Sequence, residues 1–192
     1  MFSRGFRGGT PAFGTDSEEF QPLRPRNIYG VTKLAAEHLG RMYHESHGLP
    51  VVVLRTARFF PEEDDQAHPL PQSGSNTKAN ELLFRRLTVE DAAEAHVAAL
   101  ARAVDLGFDT FIVSAPTPFA PEDCAELIRD APAVVARYFP HYRDVYARLG
   151  WSMFASIDRV YVAGHAARRL GFTCRTGFEE KLGELAGGLG QV

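Results

Sequence analysis

The sequence predicts an α/β fold in which a parallel sheet carries helices and leads into a smaller, mostly helical region. Three observations predict it. Helix-like and strand-like segments alternate from residue 28 to about 115. The two strand-like runs, PVVVLR and DTFIVSAP, are apolar without alternation, the pattern of strands covered on both faces of a parallel sheet. The stretch after Pro121 carries helical patterns interrupted by proline, with room for one short strand near residue 157.

Taken in order, residues 1–27 are rich in Gly, Pro and Arg and lack periodicity, so they read as loop. A helix is predicted over about 28–47. Val31, Leu34, Ala35, Leu39 and Met42 recur there at three- and four-residue spacing and form one apolar face. Gly48 and Pro50 stop it before the first strand. Residues 61–81 are polar and rich in Pro, Gly and Asn, and read as a long loop. The segment RRLTVEDAAEAHVAALARAV reads as a short extended piece and then a helix capped near Thr88, with acids in its first turn. The second strand follows. Pro121 opens a helical stretch, and residues 132–150 are helical around a proline. A short strand, a helix over 163–170 and a final helix complete the pattern. The aromatic-rich stretch Tyr138, Phe139, Tyr142, Tyr146, Trp151 and Phe154 is assigned to core packing, with a substrate cleft as the lesser alternative.

Composition narrows the function. With 192 residues, 45% hydrophobic, 23% charged and a net charge of −3, the chain is an ordinary globular protein. That balance gives no reason to expect nucleic acid or an anionic membrane surface as partner. No apolar run is long enough to span a bilayer, and the start has no apolar signal core, so a cytoplasmic location is expected. Cys124 and Cys174 stand alone and read as free thiols. SRGFRGG is a single short Arg-Gly copy, too little for an RNA-binding tract. His44 and His47 have no third ligand nearby and read as a solvated helix end, and the acidic run at 62–65 reads as a charged loop, so no metal is expected.

The sharpest feature is YGVTK. Tyr29 and Lys33 are four residues apart and fall on one face of a helix. A phenol is a poor base at neutral pH, and a neighbouring ammonium favours its ionised form. Such a pair can pass a proton to or from a substrate hydroxyl while a hydride moves on a nicotinamide. Gly30 and Thr32 keep the surface beside the pair slim. The spacing alone arises by chance about once in 400 offsets, so its context decides.

That context is PLRPRNIYGVTKLAAEHL followed by PVVVLRTARFFP. It resembles the extended short-chain dehydrogenase/reductase family, the epimerase and dehydratase group. There the catalytic helix reads Pro-x-x-x-Tyr-Gly-x-Ser/Thr-Lys-x-x-x-Glu and the next strand ends in Leu-Arg. The matching positions are Pro25, Tyr29, Gly30, Thr32, Lys33, Glu37, Leu54 and Arg55. Val89, Asp91 and Ala92 resemble the family's Val-x-Asp-x-Ala helix start, and RRLGF at 168–172 its Arg-x-x-Leu-Gly-Trp segment. The resemblance runs from about residue 12 onward.

It implies the C-terminal part of a Rossmann-like parallel sheet plus a smaller, mostly helical substrate-binding region. Residues 1–60 would be a remnant with the catalytic helix, and 61–192 the substrate region with the returning strand and helices. It also implies NAD or NADP as cofactor and a nucleotide sugar or similar hydroxylated small molecule as substrate. Tyr29 is then the acid/base, Lys33 stabilises its ionised form and holds the nicotinamide ribose, and Thr56 lies near the nicotinamide. The family's third catalytic position, a Ser or Thr, has Thr10 as its nearest candidate, with an ordinary loop threonine before Pro11 as the alternative. Arg58 stands where the family often has a substrate-side Asn, and pairing with Glu62 or Asp65 is its other reading. Arg85 and Arg86 are phosphate candidates, with Asn76, Lys78 and Asn80 in the loop before them.

One departure matters most. The family's opening strand and Gly-x-x-Gly-x-x-Gly turn, which bring the dinucleotide pyrophosphate to a helix N-terminus, have no counterpart in these residues. Gly5 and Gly8 have the first spacing only, with no strand before them. The expectation is therefore a chain that binds NAD(H) or NADP(H) weakly or not at all. It would be inactive by itself, and its exposed sheet edge would invite a partner chain or aggregation, with a homodimer as one possibility. The rival reading is a truncated, non-catalytic paralogue that works as a binding or interaction module.

Overall fold

The computed structural model describes residues 12–14, 25, 27–59 and 74–189. The elements are β1 (Ala12–Gly14), α1 (Ile28–His47), β2 (Val51–Thr56), α2 (Gly74–Glu81), α3 (Val89–Leu106), β3 (Phe108–Val113), α4 (Cys124–Tyr138), α5 (Tyr142–Leu149), β4 (Arg159–Tyr161) and α6 (Phe178–Leu189). The two predicted strands pair in parallel as β2 and β3, from Val51 opposite Phe108 to Thr56 opposite Val113. The chain is thus α/β with a small parallel sheet and many helices.

Local chemistry sets the helix ends. The Asn27 side chain accepts from the Gly30 amide at 2.8 Å and starts α1. Gly48, at φ 66°, ends it in the left-handed region while its N–H caps His44 O. Thr88 accepts from the Asp91 amide and starts α3, the cap position expected from the sequence.

Two cores form. One lies under α3, where Ala92, Ala95 and Ala99 meet Phe111, Val113 and Leu170. The other joins Leu83, just after α2, to Leu127, Val134, Val135, Tyr146 and Leu182 of α4 to α6, and it absorbs most of the aromatic stretch. Tyr146 is buried, and its hydroxyl donates to Asn80 Oδ1. Cys124 and Cys174 are free and buried.

Three expectations need correction, and one further feature was left open by the sequence. Residues 12–14 are not loop: they pair in parallel with β4, Phe13 opposite Val160. Residues 74–81 are helix, because Asn76 and Asn80 hold the Ser152 backbone from one face of α2. β2 has α1 on one face and α3 on the other, yet it stays part-exposed along all six residues rather than fully buried. The apolar face of α1 does not meet the sheet. Val31, Leu39 and Met42 face outward, while the sheet side is small or charged. A Cβ on Gly40 would come within 3.1 Å of Val51, the Arg41 guanidinium lies 4.2 Å from the Phe108 ring centre, and Glu37 pairs with Arg55.

Candidate active site

α1 returns into β2 through a three-residue turn, so it runs antiparallel to the strand and its first turn reaches the strand's C-terminal end. Ligands of open α/β sheets sit at that edge. Tyr29 and Lys33 share one exposed face there, with the ammonium 5.4 Å from the ring centre. Tyr29 is half-exposed, so its hydroxyl is available to a ligand. Thr32 donates its hydroxyl to Tyr29 O at 2.9 Å. Gly30 does not open the surface as its size suggested. It is buried, and a Cβ there would stand 3.1 Å from Pro25 Cβ, so its smallness serves the close approach of the Pro25 turn.

The helix is fixed to the strand by a bidentate pair. Arg55 Nε donates to Glu37 Oε1 at 3.0 Å and Nη2 to Oε2 at 2.6 Å. Both side chains are mostly buried, a setting in which the forked geometry adds both strength and direction. Both belong to the motif quoted above, and their role is to hold α1 in register on β2.

Beyond the strand ends the backbone continues the ladder. Arg58 N donates to Arg85 O, Leu87 N to Arg58 O and Ala115 N to Arg86 O. Three sequence candidates are brought together there around one residue that sequence reasoning missed. The Glu81 carboxylate is fully buried. It accepts from Arg85 Nη2 at 2.6 Å and Arg86 Nη1 at 2.7 Å, with Arg58 Nη1 3.9 Å away. The spacing of Glu81 to Arg85 on a helical turn was the available signal. Arg85 Nε is buried and without a protein partner. Arg86 also lines a cleft of about 530 Å³ between α2, the start of α3 and α6, together with Phe59, Lys78 and Arg175. Neither Tyr29 nor Lys33 lines it.

Asn76 and Asn80 are fasteners rather than phosphate ligands, since both amides donate to Ser152 O. Asp91 is another. It accepts from the amides of Arg175 and Thr176 at 2.8 and 3.2 Å, joining the start of α3 to the segment before α6. Thr56 closes β2, opposite Val113. Thr10 and the 62–65 acids lie outside the described residues. Among the described residues no group of three or more His, Cys, Asp or Glu is placed to hold a metal ion, and His44 is engaged with Leu49 O. No described helix is long and apolar enough to cross a membrane.

A family model, the NAD dependent epimerase/dehydratase family, matches residues 6–111, more than half of the chain. The chain belongs to this family. Among curated relatives, the low-salt glycan biosynthesis protein Agl12 of Haloferax volcanii is 48% identical over 42 residues, 22% of this chain and 14% of that protein. The NAD-dependent glucose-6-phosphate dehydrogenase of the same organism is 40% identical over 62 residues, 32% of this chain and 21% of that protein. Among solved structures, UDP-N-acetylglucosamine 4-epimerase from Bacillus cereus superposes with a TM-score of 0.53 at 20% identity, over 90% of this chain and 56% of that one. ADP-L-glycero-D-manno-heptose-6-epimerase from Helicobacter pylori gives 0.53 at 15% identity, over 99% and 59%. At these identities the likeness establishes the fold, that of the extended short-chain dehydrogenase/reductases. The chain spans a seventh to a fifth of the curated relatives' length and less than two thirds of the solved ones.

Proposed function

We propose that this chain carries the proton-transfer helix and the substrate side of an NAD(P)-dependent epimerase, dehydratase or reductase that acts on a nucleotide sugar or a similar hydroxylated molecule. The observation that carries the reading is the exposed Tyr29–Lys33 pair at the C-terminal edge of β2, inside the family-matched segment. Several structural relatives were solved with NAD or NADPH, which supports the cofactor class. A nicotinamide, when bound, accepts or supplies the hydride.

This chain's own residues do the rest. The Tyr29 hydroxyl takes the proton from a substrate hydroxyl or returns it to a carbonyl. Lys33 stabilises the charge that appears on the phenol and, with a cofactor bound, would hold the nicotinamide ribose. Thr56 at the strand end would be on the nicotinamide side, and Thr10 would orient the reacting oxygen. Arg58, Arg85 and Arg86 anchor the substrate's phosphates, with Glu81 fixing their directions. The nicotinamide end of the cofactor fits the donors present, whereas the pyrophosphate end finds no glycine-rich turn in these 192 residues. Turnover by the chain alone is therefore expected to be slight or absent. That absence of the turn is also what favours the second reading, a non-catalytic binding or interaction module.

The test is a chimera in which the glycine-rich half of a family member precedes residue 1. Hydride transfer with a nucleotide sugar should appear. Tyr29→Phe should lower it about 10²–10⁴-fold without altering the fold. Turnover unchanged by Tyr29→Phe would refute the assignment, and a folded chimera that binds cofactor yet has no turnover with any sugar nucleotide would favour the module.

A further inference from the structure

The helical phase of α1 links Tyr29 to an ion pair two turns away. At about 100° per residue, Tyr29, Lys33, Glu37 and Gly40 fall within an arc of about 80°. Ile28, Val31, Leu39 and Met42 lie on the opposite side and are exposed. The face that meets β2 at Gly40 and Glu37 is therefore the face that carries Tyr29 and Lys33 to the end of the strand. The axial distances agree. Gly40 stands against Val51, where a Cβ would come within 3.1 Å of the valine. From Gly40 to Tyr29 the helix rises about 16 Å, and from Val51 to Thr56 the strand also spans about 16 Å. Tyr29 thus comes level with Thr56.

The contacts between α1 and the sheet differ in what they constrain. Gly40 allows a close approach but has no side chain to interlock. The Arg41 guanidinium over the Phe108 ring is attracted to a face and holds no single orientation. The Glu37–Arg55 fork is directional. Two donors of one planar group meet two acceptors of another, at 3.0 and 2.6 Å. The side chains are only 15% and 18% exposed, so water competes little for either bond. Side chains on a helix lean toward its N-terminus, which directs Glu37 to the C-terminal end of the strand, where Arg55 stands. Arg55 is itself set in the sheet, opposite Ile112 and next to Thr56.

We propose that Glu37 is a positioning residue for Tyr29. Through Arg55 it sets the rotation and height of α1, and so the place where the Tyr29 hydroxyl meets the reacting oxygen. The role in turnover rests on the proton-transfer reading of Tyr29, whereas the placement of α1 does not. A slip of α1 by one residue turns it about 100° and shifts it about 1.5 Å. A misplacement of about 1 Å at a reacting group can cost about 10²-fold in rate. Glu37 touches neither substrate nor cofactor in this scheme, and it acts only through the helix it holds.

The first test is structural and uses the 192-residue chain. Crystal structures of the wild type, Glu37→Gln and Arg55→Lys are superposed on β2 and β3. Each variant can keep one hydrogen bond but loses the fork. The Tyr29 hydroxyl should move by at least about 1 Å while the strands stay in place. Leu39→Ala, on the opposite face of α1, should leave Tyr29 where it is. If Glu37→Gln fails to fold, Arg55→Lys, which keeps both charges, decides. The second test uses the chimera with a glycine-rich half. Glu37→Gln should lower kcat at least about tenfold, with the substrate KM and the cofactor Kd changed less than about threefold. Adding Arg55→Lys should cost little more, because both substitutions remove the same fork. A Tyr29 hydroxyl unmoved in both variants, or an unchanged kcat in a chimera that Tyr29→Phe inactivates, would overturn the positioning role and leave the pair a fastener. Turnover indifferent to Tyr29→Phe would instead remove the proton-transfer reading, with the structural result standing by itself.

Discussion

Glu81→Ala should be the most damaging single substitution around the arginine cluster. The carboxylate has no exposed surface, and two guanidinium groups bond to it at 2.6 and 2.7 Å. Removing it does more than delete two charge-assisted hydrogen bonds, because it leaves Arg86, itself only 6% exposed at the side chain, next to Arg85 with the shared counter-charge gone. Two like charges about 5 Å apart repel by roughly 3 kcal/mol at an effective dielectric of 20. Breaking one partner out of a buried ion pair typically costs about 3–5 kcal/mol, which is the loss expected here. Against a total stability of about 5–15 kcal/mol this is a large fraction. Glu81→Gln keeps one oxygen to accept from one guanidinium and should cost about half as much. Urea unfolding followed by circular dichroism gives both numbers, provided the slope is unchanged. A loss below about 1 kcal/mol for the alanine variant would show that Glu81 does not hold the cluster.

Two further outcomes follow from titratable groups. Burial pushes the Asp123 carboxyl up, but hydrogen bonds from Tyr138, the Ala120 amide and Arg137 outweigh it and hold the group below its ordinary value of 3.8. Its contribution is complete above that value and is lost as pH falls through the lower folded one, so acid unfolding monitored below about pH 3.8 should be steeper in the wild type than in Asp123→Asn. Burial, with Asp91 nearby, pushes the Cys174 thiol up to about 12, and burial likewise raises Cys124. Both should resist iodoacetamide at pH 8 in the folded chain and react fully in urea, with rapid native alkylation counting against their placement.

How legible this protein was depends on where its interactions are local. α1, β2, α3 and β3 were readable because stops, a cap and apolar runs lie in contiguous sequence: Gly48 for the end of α1, Thr88 for the start of α3. The Asn27 cap of α1 went unread. The Tyr29–Lys33 pair was readable because four residues on a helix is a fixed geometry. β1 was not, since three residues become a strand only through β4, far along the chain. α2 was missed because its composition is that of a loop, and its helical form depends on Asn76 and Asn80 reaching Ser152. The direction of the α1 stripe was not fixed by periodicity either. An amphipathic pattern says which residues lie together, not which face meets the sheet, and here the Glu37–Arg55 pair and Gly40 take that side. Glu81 was passed over for a related reason, since a buried carboxylate looks like a surface one until the tertiary fold covers it.

Dinucleotide binding by the 192-residue chain tests the division of labour directly. In a Rossmann-type site, backbone N–H groups and the positive end of the first helix grip the pyrophosphate. No glycine-rich turn in this sequence offers that grip. What stays available is the nicotinamide end, with Tyr29 and Lys33 exposed on α1 and the backbone near Thr56. Two or three hydrogen bonds there contribute about 1–3 kcal/mol each. They are set against an association cost of at least about 4 kcal/mol. The difference leaves a Kd near millimolar or weaker, since 1 mM corresponds to about −4 kcal/mol. Calorimetric titration with NAD(H) and NADP(H) measures it. Lys33→Met should then change little, because so weak a complex has little to lose. Micromolar binding by the 192-residue chain would mean that other groups of this chain hold the pyrophosphate. The Arg58–Arg85–Arg86 cluster would be the first place to look, with Arg85→Ala as the discriminating variant.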